Sequence, residues 1–335
     1  MTRHFCTLFD SNYLSRGLAM YRSLLATGAD FRLYVFAFDE RTRRVLDKLR
    51  LDRVVVVSLA DFEDEKLLAV KPTRSVTEYC WTSSSSTVLY VLENFDVDWC
   101  VYLDADLFFY ADPEPIFEEA GEASIILTEH RYSPKYDKEV KSGRYCVQFT
   151  GFRNDERGLA ALRWWRERTL EWCYARHEDG KFGDQKYLDD WTERFEGVHV
   201  VRHMGAGVAA WNVRQYDFRL LDGALLGREL ATGEEFQTIF YHFHYLRYYT
   251  DRAGRRIVEF GRRDLSPNAI DLVYAPYLRK LEEAKDEALA VEADFDPHGA
   301  KPLPRNWKTP LLYVYRKLKG VHHLYPLTKF GIDDD

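Results

Sequence analysis

No stretch of this 335-residue chain stays apolar long enough to cross a bilayer. An excess of positive charge is also missing. The formal net charge is −7, which argues against a general nucleic-acid binder. Cysteine is scarce. The five thiols (Cys6, Cys80, Cys100, Cys146 and Cys173) are odd in number, scattered, and mostly set among apolar neighbours. They read as buried thiols of a reducing compartment, and no Cys-X-X-Cys pair points to zinc. No secretory leader is legible, because Met1-Thr2-Arg3-His4 runs straight into the strand-like Phe5-Cys6-Thr7-Leu8-Phe9. A cytoplasmic location is the expectation. The first turn carries no Gly-X-Gly-X-X-Gly, and a Walker phosphate loop is absent too, so neither common nucleotide fingerprint applies.

What the chain does have is length for a large α/β domain, an ordinary 46% hydrophobic content, and a high aromatic share of 15%. Aromatics at that level suit stacking platforms for a base or sugar rings, or simply an aromatic-rich core. Phe5–Phe9, Phe31–Phe38 and Arg53–Leu59 read as strands, separated by helical periodicity at Leu14, Leu18, Tyr21, Leu25 and at Val45, Leu46, Leu49. Ser11 or Asn12 is positioned to cap the first helix and Asp39 the second. This β-α-β-α-β order predicts a mostly parallel sheet with helices on both faces. The hydroxyl cluster Thr82–Ser86 is expected to cap the next helix or to line a polar pocket. Met204–Val213 reads as a loop, Phe182–Leu188 as the opening of a helix, and Arg279–Glu292 as a charged amphipathic helix. Asp294–Pro304, with three prolines and Gly299, reads as a linker. The expected division is a domain over 1–265 and a C-terminal helical extension with a basic and aromatic tail over 266–335.

The chain is organised around Trp99-Cys100-Val101-Tyr102-Leu103-Asp104-Ala105-Asp106. Five apolar residues read as a strand buried on both faces. Two carboxylates follow where the strand leaves the core. In an extended segment, positions i and i+2 point the same way, roughly 6.5–7 Å apart. Such a pair suits a divalent cation that takes oxygen ligands, and a cation there can hold the phosphates of a nucleotide. A solvated acidic turn is the plainer alternative.

Tyr102-Leu103-Asp104-Ala105-Asp106-Leu107 resembles the metal-binding motif of nucleotide-sugar glycosyltransferases with the GT-A fold. The order of features resembles glycosyltransferase family 8 and its bacterial relatives. Thr7-Leu8-Phe9-Asp10 through Tyr13 is similar to that family's nucleotide-binding start. Gly183-Asp184-Gln185 resembles its Asp-Gln motif, Trp211-Asn212 its Trp-Asn pair, and His242-Phe243-His244 its late histidine motif. The resemblance spans about residues 3–250. Two features depart from it. Glu78–Ser83 lacks the arginine that reaches the donor phosphate, and Tyr245-Leu246-Arg247-Tyr248 replaces the usual Gly-X-X-Lys-Pro-Trp continuation.

The resemblance implies a transferase that moves a sugar from a nucleotide diphosphate, UDP expected, to a hydroxyl of a glycan or lipid-linked acceptor, with retention of configuration. It implies that Asp106 chelates Mn²⁺ or Mg²⁺, and that Asp104 shares the ion or binds the ribose. A histidine ligand favours Mn²⁺. His242 matches the ligand position, with His244 the alternative; both could equally be core residues. Thr7 and Phe9 belong to the nucleotide-binding start. Asp10 is the candidate to accept from the base and Tyr13 to stack on it, against a helix cap and a core aromatic. Asp184 and Gln185 match the donor-sugar pair and are the candidate catalytic residues, with Gln185 expected to stabilise an oxocarbenium-like centre, against an ordinary helix start. Thr150, Gly151, Trp211 and Asn212 are candidate donor contacts. Glu129, His130 and Arg131 could meet acceptor or diphosphate, or form a surface turn.

Two other function classes remain open on the sequence. A haloacid-dehalogenase-type phosphatase also uses Asp-X-Asp after a strand, but wants it near the N-terminus with Thr or Val after it, where this chain has Leu107 and Phe108. A catalytically silent binding protein of the same fold is the other. The tail beyond Pro304 mixes Trp307, Leu311, Leu312, Tyr313, Tyr315 and Leu318 with Lys308, Arg316, Lys317 and Lys319. It is expected either to contact the inner face of an anionic membrane or to pack as a last helix.

Overall fold

The first strand shows how the layers form. In β1 (Arg3–Phe9), Phe5 and Phe9 enter one apolar cluster, while Cys6 and Leu8 enter the other. A strand buried on both faces has this period-two division. The computed structural model describes residues 1–304 and 309–333. The strands β2 (Phe31–Ala37), β3 (Val54–Ser58), β4 (Trp99–Leu103), β5 (Leu107–Phe109), β6 (Ile125–Glu129), β7 (Tyr145–Arg153) and β8 (Val198–Val200) follow. Seven of them form the central sheet in the order β3-β2-β1-β4-β7-β6-β8. β3, β2, β1 and β4 are parallel neighbours, and β6 pairs in parallel with β8. β7 runs against both β4 and β6. The expected mostly parallel α/β fold is therefore present, with one reversed strand beside the Asp-X-Asp strand.

Helix α1 (Leu14–Ala26) and the helix Ala275–Val291 cover one face, and the helices Val76–Asn94 and Glu156–Glu171 cover the other. Gly17 makes the fit of α1 possible, because a Cβ there would stand 2.3 Å from the Phe9 ring. Neither Ser11 nor Asn12 caps α1. Ser11 bonds Asp39 and Asn12 bonds Asp10, so the loop is tied to its own acids instead. Asp39 does cap α2 (Glu40–Leu49), accepting from the Thr42 amide. The Thr82–Ser86 cluster caps nothing. It lies inside Val76–Asn94, whose cap is Ser75 in a reciprocal box with Glu78.

A second small sheet places the rest of the site. Its framework includes β9 (Ala206–Ala209), inside the segment expected as a loop. The meander β10 (Tyr216–Leu221), β11 (Ala224–Glu229) and β12 (Glu235–Gln237) leads to β13 (Phe240–His242). β13 lies between β5 and β9, with His242 opposite Leu107 and Ala209. Phe182–Leu188 forms a single tight turn over Gln185–Leu188 rather than a helix.

The expected linker is not detached. Ser15 N–H donates to Pro297 O, the His298 ring meets Ser15 Oγ at 2.8 Å, and Gly299 packs on Asn12. β14 (Arg247–Thr250) and β15 (Arg256–Glu259) form a sheet with β16 (Lys301–Pro302) and β17 (Leu324–Pro326), so residues on both sides of position 265 share it. Leu327 and Phe330 are buried. A helix spans Thr309–Leu318, with Tyr313, Tyr315 and Leu318 exposed. Trp307 and Lys308 lie outside the described residues.

Candidate metal and donor site

β4 ends at Leu103, and Asp104 N–H donates to Gln148 O on β7 at 3.1 Å. The chain then turns, Leu107 N–H returning to Asp104 O. Asp104 keeps 29% of its side chain exposed, whereas Asp106 keeps 9%. The Asp106 carbonyl accepts from Phe243 N–H at 3.0 Å, which ties the turn to the end of β13. His242 Nε2 thereby comes 3.0 Å from Asp106 Oδ1 and 3.5 Å from Asp104 Oδ2. β13 ends at His242, so strand alternation does not carry His244 away. Its ring lies 5.4 Å from that of His242. One ligand atom each from Asp106, His242 and His244 falls within 4.8 Å of the others, with His244 on the exposed rim.

Charge explains why these groups tolerate one another. Burial opposes ionisation of Asp106, but the charge of His242 overcomes it and holds the carboxyl low. Burial also opposes the His242 imidazolium, and Asp106 raises it well above the ordinary histidine range. Burial, with the charge of Asp106 beside it, pushes Asp104 up to about 6. A positive charge is thus favoured between the acids. His242 Nε2 is buried and has no hydrogen bond of good geometry, although it faces both carboxylates. Two oxygens and an unsatisfied imidazole nitrogen fit a divalent transition ion.

The other candidates divide into those around this point and those beneath it. Tyr13 is 40% exposed and lies within electrostatic reach of Asp106 and Asp104. Asp10 receives both the Asn12 amide and its side chain. Asp184 is 6% exposed, accepts from Ser84 Oγ at 2.9 Å, and feels the charge of Asp104. Burial pushes it up to about 7. The Gln185 amide donates to Ser142 O. Trp211 is nearly buried and stands edge-on to His242 at 5.2 Å.

Thr7, Phe9, Thr150, Gly151 and Asn212 have almost no exposed surface. Thr150 donates to Val147 O, and Val101 and Ile126 close over Gly151, so the close backbone approach expected there is made by the sheet itself. Asn212 bonds Ala209, Gly207 and His130, holding β9. These residues support the site from below. His130 is likewise buried, stacked on Tyr132, rather than in a surface turn. Gln148 escaped sequence reasoning; the available signal was a lone amide in the apolar run of β7.

The seven-stranded α/β sheet, with two acids after its central strand β4 met by two histidines at the end of β13, defines the class: the chain has the GT-A fold. Among solved structures it is similar to the galactosyltransferase LgtC in complex with donor and acceptor sugar analogs, with a TM-score of 0.51, 11% identity, and coverage of 84% of this chain and 95% of that one. No family model matches. Two curated proteins of Bacillus subtilis (strain 168), both described as uncharacterized, are much closer in sequence. YfnF is 37% identical over 273 residues, covering 79% of this chain and 88% of the relative. YfnD is 32% identical over 298 residues, covering 88% and 93%. The chain belongs to the family of YfnF and YfnD.

Proposed function

We propose that the protein is a metal-dependent glycosyltransferase that moves a sugar from a nucleotide diphosphate, UDP expected, to an acceptor hydroxyl with retention of configuration. The observation that carries this reading is the meeting of Asp106, His242 and His244 ligand atoms within 4.8 Å on a GT-A fold. Asp106 and His242 would hold the ion, Mn²⁺ ahead of Mg²⁺ because imidazole suits the softer cation. When bound, the ion supplies Lewis-acid neutralisation of the departing diphosphate. Asp104 shares the ion or takes the ribose. Asp10 and Tyr13 address the base, and Asp184 and Gln185 the donor sugar. Fixed placement of these groups lowers the cost of orientation and charge development.

The acceptor is read as a glycan or lipid-linked hydroxyl of bacterial glycan synthesis. The exposed Tyr313, Tyr315 and Leu318 beside Lys317 and Lys319 support contact with an anionic membrane surface. Among the described residues no helix is long and apolar enough to cross one.

Thermal denaturation with UDP-, GDP- and TDP-sugars, with and without Mn²⁺, tests the reading, because a ligand of the folded state raises its melting temperature. A metal-dependent rise with one nucleotide class, followed by release of that nucleotide on addition of acceptor glycans, is expected. No rise with any donor in Mn²⁺ would sink it. Binding without turnover would leave a silent binding protein of this fold.

A further inference from the structure

Gln148 lies wholly buried in β7 between Val147 and Phe149. A buried primary amide must place both its carbonyl and its NH₂. Gln148 Oε1 stands 2.8 Å from His242 Nδ1, and Gln148 Nε2 donates to Thr128 Oγ1 at 3.3 Å. Thr128 Oγ1 in turn donates to Cys146 O at 3.4 Å. A hydroxyl has a single hydrogen. Once it is directed at a carbonyl, only lone pairs remain for the amide. Thr128 therefore sets which end of the Gln148 amide faces the histidine. Because Oε1 can only accept, Nδ1 of His242 carries the hydrogen. Nε2 is then the nitrogen whose proton a cation can replace, and it lies 3.0 Å from Asp106 and 3.5 Å from Asp104.

We propose that Gln148, oriented by Thr128, is a positioning residue that fixes the tautomer and ring plane of His242 so that Nε2 is presented to the cation held by Asp106. This rests on the metal-dependent reading above. The backbone of His242 is already fixed by its pairing with Leu107 and Ala209. The remaining freedom is rotation of the ring, which would exchange the roles of its two nitrogens, and the amide opposes it. β9 closes the other side: a Cβ on Gly207 would stand 3.0 Å from Gln148 Nε2. The amide has no room to swing toward β9. An outer partner that orients a histidine ligand is typically worth about 10- to 100-fold in metal affinity.

The experiment is calorimetric titration of Mn²⁺ into the metal-free full chain, with the melting temperature of each metal-free variant recorded beside it. Gln148→Met keeps the length and removes the acceptor, whereas Gln148→Glu keeps an acceptor for Nδ1–H. Gln148→Met is expected to weaken Mn²⁺ by about 10- to 100-fold, while Gln148→Glu stays close to the parent. Thr128→Val frees the amide to present its NH₂ to the ring, so its affinity should fall between the two. Parent-like affinity in Gln148→Met, or equal losses in Gln148→Met and Gln148→Glu, would overturn the proposal. If Gln148→Met does not fold, unchanged affinity in Thr128→Val overturns it and a loss supports it. A parent chain that binds no Mn²⁺ removes the metal reading itself, and this proposal with it.

Discussion

Asp184→Asn should make the protein more stable, and increasingly so as pH rises. The Asp184 carboxyl is 6% exposed and faces the helix Val76–Asn94, where Ser84 Oγ donates to it. Burial outweighs that bond, and with the charge of Asp104 it pushes the group up to about 7. In the unfolded chain an aspartate titrates near 3.9, so between about pH 3.9 and about pH 7 the folded state holds a proton the unfolded state has released. The unfolded state then binds fewer protons, and stability falls with rising pH. The penalty is absent below the unfolded value and complete above the folded one. Three units at about 1.4 kcal/mol each set an upper figure of about 4 kcal/mol at about pH 8, against about 1.5 kcal/mol at about pH 5. The neutral amide escapes this penalty. For a chain of this size, the gap in melting temperature between variant and parent should widen by about 4 °C over that interval. Scanning calorimetry in a chelating buffer measures it. A gap that is constant or narrows toward alkaline pH would refute the reasoning. Added Mn²⁺ should narrow it, since a cation near Asp104 favours the ionised form of Asp184.

Asp106→Ala should abolish Mn²⁺-dependent UDP binding by calorimetry and also lower the melting temperature, because it removes the partner of buried His242; parent-like affinity would remove Asp106 from the site. His242→Ala should weaken Mn²⁺ more than His244→Ala, since only His242 is buried between both acids; the reverse order would assign the ligand to His244. Gly207→Ala should cost about 1–3 kcal/mol in denaturant unfolding, because the backbone is left-handed there at φ +101° and the new methyl meets Gln148; a neutral result would mean the loop relaxes freely. Replacing Arg316, Lys317 and Lys319 by Glu should release the protein from anionic liposomes at low salt without changing its melting temperature. Equal sedimentation of both proteins would sink the membrane contact. Point changes are preferred to truncation at Pro304, which would also remove β17 and the buried Leu327 and Phe330.

The sheet was legible because β1, β2, β3 and β4 are short apolar runs, and the burial of β1, β2 and β4 leaves few other assignments. Asp104 and Asp106 were legible for the same reason: charge at the end of such a run is conspicuous. The reversed direction of β7 depends on pairing with β4 and β6, which no local pattern encodes. Thr82–Ser86 misled because hydroxyls favour caps. Here Thr82 and Thr87 turn back to carbonyls of their own helix, and Ser84 reaches Asp184, which satisfies them in its interior. Thr150, Gly151 and Asn212 were candidate donor contacts on the sequence. Their hydrogen bonds and neighbours close inward, a distinction that only three-dimensional packing draws. Gln148 was missed because its partners, Thr128 and His242, are 20 and 94 residues away.

The chain's far end also enters the site's electrostatics. Arg16, on α1, is 3% exposed and donates to His298 O at 2.9 Å and Leu246 O at 3.3 Å, beneath the Tyr13 ring. Its hydrogens go to neutral carbonyls, so its charge is not cancelled locally. That charge is one of those favouring ionised Asp106, after His242 and His244. By holding Arg16 in place, the carbonyl of His298 helps keep Asp106 ionised. The short stretch around Pro297, His298 and Gly299 does this by fastening to Asn12, Ser15 and Arg16, at the start of α1. A segment whose prolines and glycine look like a spacer is, by these contacts, part of the wall behind the candidate site.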